Sequence, residues 1–176
     1  MKRGFAVSCV LILGVIASAQ PPKPQPAPEL KNIAYFLGSW TLDGDMKPGP
    51  AGPGGKMAMH EHCEWLTPES FLVCHSDFAA GSMGSGSGLS VMGYNSSDKV
   101  YTYDEYNSFG EAEHSTGAFE GDTWTWTGDE KMGGQVIKGR FTMKILSPAS
   151  YSFKYEMSPD GTNWANAMEG RASKGK

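Results

Sequence analysis

The stretch Gly117-Ala118-Phe119-Glu120-Gly121-Asp122-Thr123-Trp124-Thr125-Trp126-Thr127 decides the fold. Gly121-Asp122 sits between two runs in which apolar and polar residues alternate, the signature of a two-residue β-hairpin turn. With that turn fixed, Phe119 faces Trp124 and Gly117 faces Trp126, because successive side chains of a strand point to opposite faces. The large aromatic rings then share an inner side, while Thr116, Thr123, Thr125 and Thr127 hold the outer one.

The same alternation extends in both directions. It predicts strands over residues 39–44, 57–66, 70–78, 89–95, 100–107, 111–120, 123–127, 135–146, 150–158 and 163–172, separated by turn residues such as Asn95 to Asp98, Gly128 to Gly134, Ser147-Pro148 and Pro159-Asp160-Gly161. About ten strands joined by hairpin-length loops form an antiparallel meander, and a meander of that length closes most readily into an up-and-down β-barrel without open edges. Ahead of it, Leu30, Ile33, Ala34 and Leu37 recur at helical spacing and Gly38 supplies a stop, so a short N-terminal helix over 29–37 is expected. The Pro/Gly-rich stretch from Met46 to Gly55 reads as a connection, and Ala79 to Gly88 as a flexible loop at the barrel mouth. Gly84-Ser85-Gly86-Ser87-Gly88 holds neither a nucleophile elbow nor a phosphate-loop lysine.

At the N-terminus, Lys2-Arg3, an apolar run from Phe5 to Ile16 and the small residues Ala17-Ser18-Ala19 read as a cleavable export signal over 1–19. The apolar run falls short of the roughly 20 residues that span a bilayer. Prolines at 21, 22, 24, 26 and 28 mark residues 20–28 as an extended spacer, leaving 29–174 as one barrel domain. A periplasmic or secreted protein is expected, with no membrane insertion of the mature chain. The formal charge of −4, which becomes about −6 once Lys2 and Arg3 leave with the signal, excludes nucleic acid and anionic membrane surfaces as natural partners.

The pattern also carries a resemblance. Gly38-Ser39-Trp40 after a short helix is similar to the start of the first strand in the calycins, the lipocalins and fatty-acid-binding proteins. Cys63-Glu64-Trp65, Phe71-Leu72-Val73-Cys74, Gly93-Tyr94, Val100-Tyr101-Thr102-Tyr103, Gly121-Asp122-Thr123-Trp124, Ser158-Pro159-Asp160-Gly161 and Met168-Glu169-Gly170 resemble the bacterial lipocalin-like domain of unknown function 1579 over residues 30 to 174. The resemblance implies a lipocalin-like barrel in an exported bacterial protein, and brings no activity or catalytic residue. It further implies that Trp40 closes one barrel end under a basic residue of the last strand, for which Arg171 is the candidate through cation–π stacking. Related nitrobindin-like barrels bind haem through a late histidine, and the last strand here offers Met168 but no histidine.

Several constellations bear on chemistry. A turn between Pro68 and Glu69 sets Cys63 opposite Cys74, where a cross-strand disulfide can form in an oxidising compartment. The same register sets His62 opposite His75 and His60 opposite Asp77, on the face without the cysteines. Three imidazoles and a carboxylate could hold zinc or copper there, although that face reads as solvated surface. The methionines share no ligand spacing and read as adaptable packing. Carboxylates such as Asp104-Glu105, Glu111, Glu113 and Asp129-Glu130 read as outward faces and hairpin ends.

The function expected from these readings is binding of a small apolar or amphipathic ligand inside the barrel, walled by Trp65, Tyr101, Tyr103, Trp124, Trp126, Phe141, Phe153 and Tyr155. No catalytic residue and no cofactor is assigned. The alternatives are a metal-binding protein or metal-dependent enzyme built on His60, His62 and His75, or a structural or interaction domain of the cell envelope.

Overall fold

The computed structural model describes residues 26–49, 52–66, 70–132 and 134–175. The expected export signal, and the spacer up to residue 25, lie outside the described residues. A helical turn, α1 (Leu30–Ile33), continues into a 3₁₀ turn (Ala34–Phe36) and leads into ten strands: β1 (Gly38–Met46), β2 (Gly55–Leu66), β3 (Phe71–Ala80), β4 (Ser85–Asn95), β5 (Val100–Asn107), β6 (Ala112–Glu120), β7 (Thr123–Met132), β8 (Gln135–Ser147), β9 (Ser150–Ser158) and β10 (Ala165–Lys174). Each strand pairs antiparallel with its sequence neighbour, and β1 pairs with β10, so the sheet closes as an up-and-down lipocalin-like barrel.

The helical turn closes one end. Ile33, Phe36, Trp40, Trp124 and Tyr151 are almost fully buried there, and their rings meet edge-on or tilted, Phe36 against Trp124 at 5.7 Å and Trp40 against Tyr151 at 5.2 Å. Directed bonds pin the plug. Trp40 Nε1 donates to the Phe36 carbonyl at 2.8 Å, Asn32 Nδ2 to the Tyr101 hydroxyl at 2.7 Å, and the Tyr35 hydroxyl sits 3.0 Å from the carbonyls of both Ser147 and Ser150. Four residues of helix are far below independent stability, so this turn is held by packing and not by propensity.

The expected hairpin registers are present: Phe119 opposite Trp124, Gly117 opposite Trp126, Cys63 opposite Cys74 and His62 opposite His75. Three expectations need correction. Ala79 to Gly88 is not a long mouth loop, since β3 runs to Ala80 and β4 begins at Ser85. Gly86 and Gly88 are strand residues pressed against cross-strand partners, and a Cβ at Gly86 would lie 2.9 Å from the Phe78 ring. Likewise β7 does not stop at Thr127 but continues to Met132, with Gly128 opposite Ser115 inside the sheet. Finally, β10 is displaced toward the C-terminus, so Lys174 and not Arg171 stands beside Trp40. The Lys174 ammonium lies 5.2 Å from the indole and donates to the Tyr35 carbonyl at 3.3 Å. Arg171 is exposed on the outer face opposite Asp43, because it has the opposite strand parity.

Candidate functional site

Inward parity on β5 runs Tyr101, Tyr103, Glu105, and the register carries it across the sheet. Tyr103 lies opposite Ser115, Ser115 opposite Gly128, and Gly128 opposite Gly139. This row of small residues leaves space where a uniformly large-residue interior would be filled. A Cβ at Gly139 would meet Glu130 Oε1 at 2.5 Å and the Tyr155 hydroxyl at 2.7 Å, so only glycine leaves room for both groups over that strand. The result is a cavity of about 290 Å³ above the helical plug, walled by Phe36, Leu42, Met57, Met59, Met92, Trp126, Phe141, Met143, Tyr151, Tyr155 and Met168. Tyr103, Glu61, Glu105, Glu113, Glu130 and Ser115 complete the wall.

The carboxyl groups give the cavity its electrostatics. Glu105 and Glu113 stand directly opposite each other on β5 and β6, and the Tyr103 hydroxyl donates to Glu105 Oε2 at 2.6 Å. Burial, with a smaller contribution from the Glu105 charge, pushes the Glu61 carboxyl up to about 7. Burial together with Glu130, Glu105 and Glu111 pushes Glu113 up to about 7, and burial with Glu111 and Glu105 raises Glu130. The Tyr103 phenol is raised well above its usual value by burial and the facing acids Glu105 and Glu61. Among the described residues, no lysine, arginine or histidine lines the cavity.

Of the ring residues expected to line a ligand, Tyr103, Trp126, Phe141 and Tyr155 face the cavity. Trp124, Tyr101, Phe153 and Trp65 belong instead to the packed core around it, Trp124 stacked beside Trp126 at 5.5 Å. The interior acids are the residues that the sequence reading misplaced. Glu105 and Glu113 do not face outward, because they share inward parity with Tyr103 and Ser115 on β5 and β6, and Glu130 is not a hairpin end, because β7 continues past the expected turn. The signal was present in the alternation Tyr101, Tyr103, Glu105 and Trp124, Trp126, Gly128, Glu130.

Cys63 and Cys74 are joined by a disulfide with Cα atoms 4.0 Å apart. His60, His62, His75 and Asp77 occupy the exposed outer face of the same hairpin. His62 Nδ1 lies 2.9 Å from Ser39 Oγ, and His60 Nδ1 lies 3.3 Å from Thr41 Oγ1. Among the described residues, the only three ligand-type side chains whose donor atoms fall within 4.8 Å of one another are Glu61, Cys63 and Cys74. Both of those sulfurs are already in the disulfide, so the set does not fit a metal ion. Among the described residues no helix is long and apolar enough to cross a membrane.

A family profile described as "Protein of unknown function (DUF1579)" matches residues 25–174, and the chain belongs to that family. Comparison with curated proteins finds no match. Among solved structures, the barrel is similar to Rv2717c from M. tuberculosis, with a TM-score of 0.60 and 14% identity over 86% of this chain and 100% of that one. It is also similar to the S-type phycobiliprotein lyase CPES from Guillardia theta, with a TM-score of 0.56 and 10% identity over 83% of this chain and 92% of that one. At these identities the likeness establishes the barrel fold alone.

Proposed function

We propose that this barrel is an exported binding protein that holds a small apolar or amphipathic molecule in its interior. The observation that carries the reading is the cavity of about 290 Å³ between the helical plug and the far rim, walled by aromatic and methionine side chains. At roughly 30 Å³ per water-sized group, it has room for about ten such groups. Methionine walls adapt to ligands of varied shape, and a mostly apolar cavity with a few convergent polar groups suits binding better than it suits any recognisable nucleophile–base pair. Export is supported by the signal-like residues 1–19 and by the Cys63–Cys74 disulfide, which persists in an oxidising compartment.

The test is native mass spectrometry of the mature protein from its own host, followed by titration of the released molecule. A non-covalent ligand of matching size is expected, and Trp126→Ala should weaken its binding by about 1–3 kcal/mol, the scale of lost buried apolar contact. An interior that retains nothing, and whose Trp126→Ala variant behaves like the parent toward every molecule tried, would favour a structural role for the domain. N-terminal sequencing of the same preparation is expected to start near Gln20.

A further inference from the structure

The cavity joins two features that an apolar cargo alone does not require. Four glutamates from four strands, Glu61, Glu105, Glu113 and Glu130, line it, and no basic side chain does among the described residues. In addition, one polar group within it lacks a partner: the Tyr155 hydroxyl is buried without a hydrogen bond. The half-buried Glu61 carboxyl faces the same space, and the one charge that acts on it is that of Glu105, a like charge. Buried polar groups are normally satisfied, and carboxylates drawn from water are normally paired with a cation. The counter-charge absent from the wall is therefore a property of what the wall receives.

Resting on the ligand-binding reading above, we propose that the cargo is a cationic amphiphile, a primary ammonium or amidinium group on an apolar body, with its head among Glu61, Glu105 and Glu113 and its body against Trp126 and Phe141. A cation with several N–H donors matches carboxylates distributed over four strands, and the aromatic faces of Tyr103 and Trp126 add cation–π attraction. A single metal ion fits less well, since no three of these carboxylates approach within 4.8 Å of one another among the described residues. The outer-face acids behave differently. Glu156 is already engaged by Lys154 and Arg140, and Asp129 by Lys138.

The experiment is calorimetric titration of the full mature chain with octylammonium, octanol and octanoate, three probes of nearly equal size and different head charge, at about pH 8. Octylammonium is expected to bind at least about tenfold more tightly than octanol, and octanoate more weakly than either. In a Glu105→Gln/Glu113→Gln variant octylammonium should bind no more tightly than octanol, and the outward Glu64→Gln control should keep the parent's difference between the two. Should the double variant fail to fold, the parent still decides the matter. Lowering the pH to about 5 protonates Glu61 and Glu113, whose carboxyls titrate near 7 with Glu105, Glu130, Tyr103 and Tyr155 facing them and Glu111 near them, and should weaken octylammonium but not octanol. Equal affinities for octanol and octylammonium would overturn the cationic assignment and leave the binding reading standing. No binding of any probe would overturn both. Stoichiometric calcium or magnesium binding that excludes octylammonium would replace the ammonium with a metal ion and so overturn the assignment.

Discussion

Gly117 shows how one missing side chain shapes the site. A Cβ built there would lie 2.4 Å from the Trp126 ring, so the indole rests flat on the backbone of β6, parallel to Trp124 within 2°. The ring is rigid and nearly fully buried, which leaves it no cheap way to yield. Gly117→Ala is therefore expected to destabilise the barrel by about 1–3 kcal/mol and to alter the near-ultraviolet circular dichroism of the tryptophans. An unchanged melting temperature together with an unchanged spectrum would show that Trp126 is loosely held. In the helical plug itself Trp40 depends on Lys174, whose ammonium lies 5.2 Å from the indole and reaches the Tyr35 carbonyl. Lys174→Ala should cost more than Arg171→Ala in thermal melts, since Arg171 stands exposed on the outer face.

At the scale of elements, the β2–β3 hairpin was the most legible part of the chain, because the alternation of Met59, Trp65, Leu72 and Phe78 against His60, His62 and His75 fixes the inner face and a turn between Pro68 and Glu69 sets the register. That register places the disulfide, and the Cys63→Ala/Cys74→Ala pair is expected to lose at most about 3 kcal/mol in denaturant titration, the entropy of a short closed loop plus packing. A loss well beyond that would mean that the sulfurs support the interior beside Glu61 as well. Strand ends were less legible, for a physical reason. Gly86, Gly88 and Gly128 look like turn residues in a sequence, yet here each makes room for a cross-strand group. Reading Gly128 as a turn ended β7 early and removed Glu130 from the inner face. Reading acids as solvent-facing hid Glu105 and Glu113 in the same way. The aromatic half of the cavity was thus visible from residue type, whereas the acidic half was visible only through parity carried across the whole sheet. The C-terminal bulge between Asn166 and Met168 is likewise invisible in the residue pattern, and the sequence reading assigned the wrong basic residue to Trp40.

For the molecule as a whole, acids on the two faces of one sheet pull stability in opposite directions with pH. Outside, Asp45 is lowered chiefly by its hydrogen bond from Lys56, Glu156 by its hydrogen bond from Lys154 with Arg140 adding to it, and Glu169 by its hydrogen bond from Lys47. Their contribution is present above the ordinary carboxyl range and is lost as pH falls through the folded values. Inside, Glu61 and Glu113 titrate near 7 in the folded state against 4.5 when unfolded, and Glu130 moves the same way. Between those values the folded chain holds more protons than the unfolded one, so stability must decline as pH rises from about 4.5 to about 7. At about 1.4 kcal/mol per pKa unit, Glu61 alone sets an upper bound of roughly 3.5 kcal/mol, with the more accessible Glu113 and Glu130 adding less. The ligand-free barrel is therefore expected to be most stable near pH 5 and to melt several degrees lower at about pH 8. Glu61→Gln should flatten most of that slope by raising stability at the alkaline end. Thermal melts of the parent and Glu61→Gln across this range check the sign, and a parent that grows steadily more stable up to pH 8 would show that the interior acids are already neutralised by something other than protons.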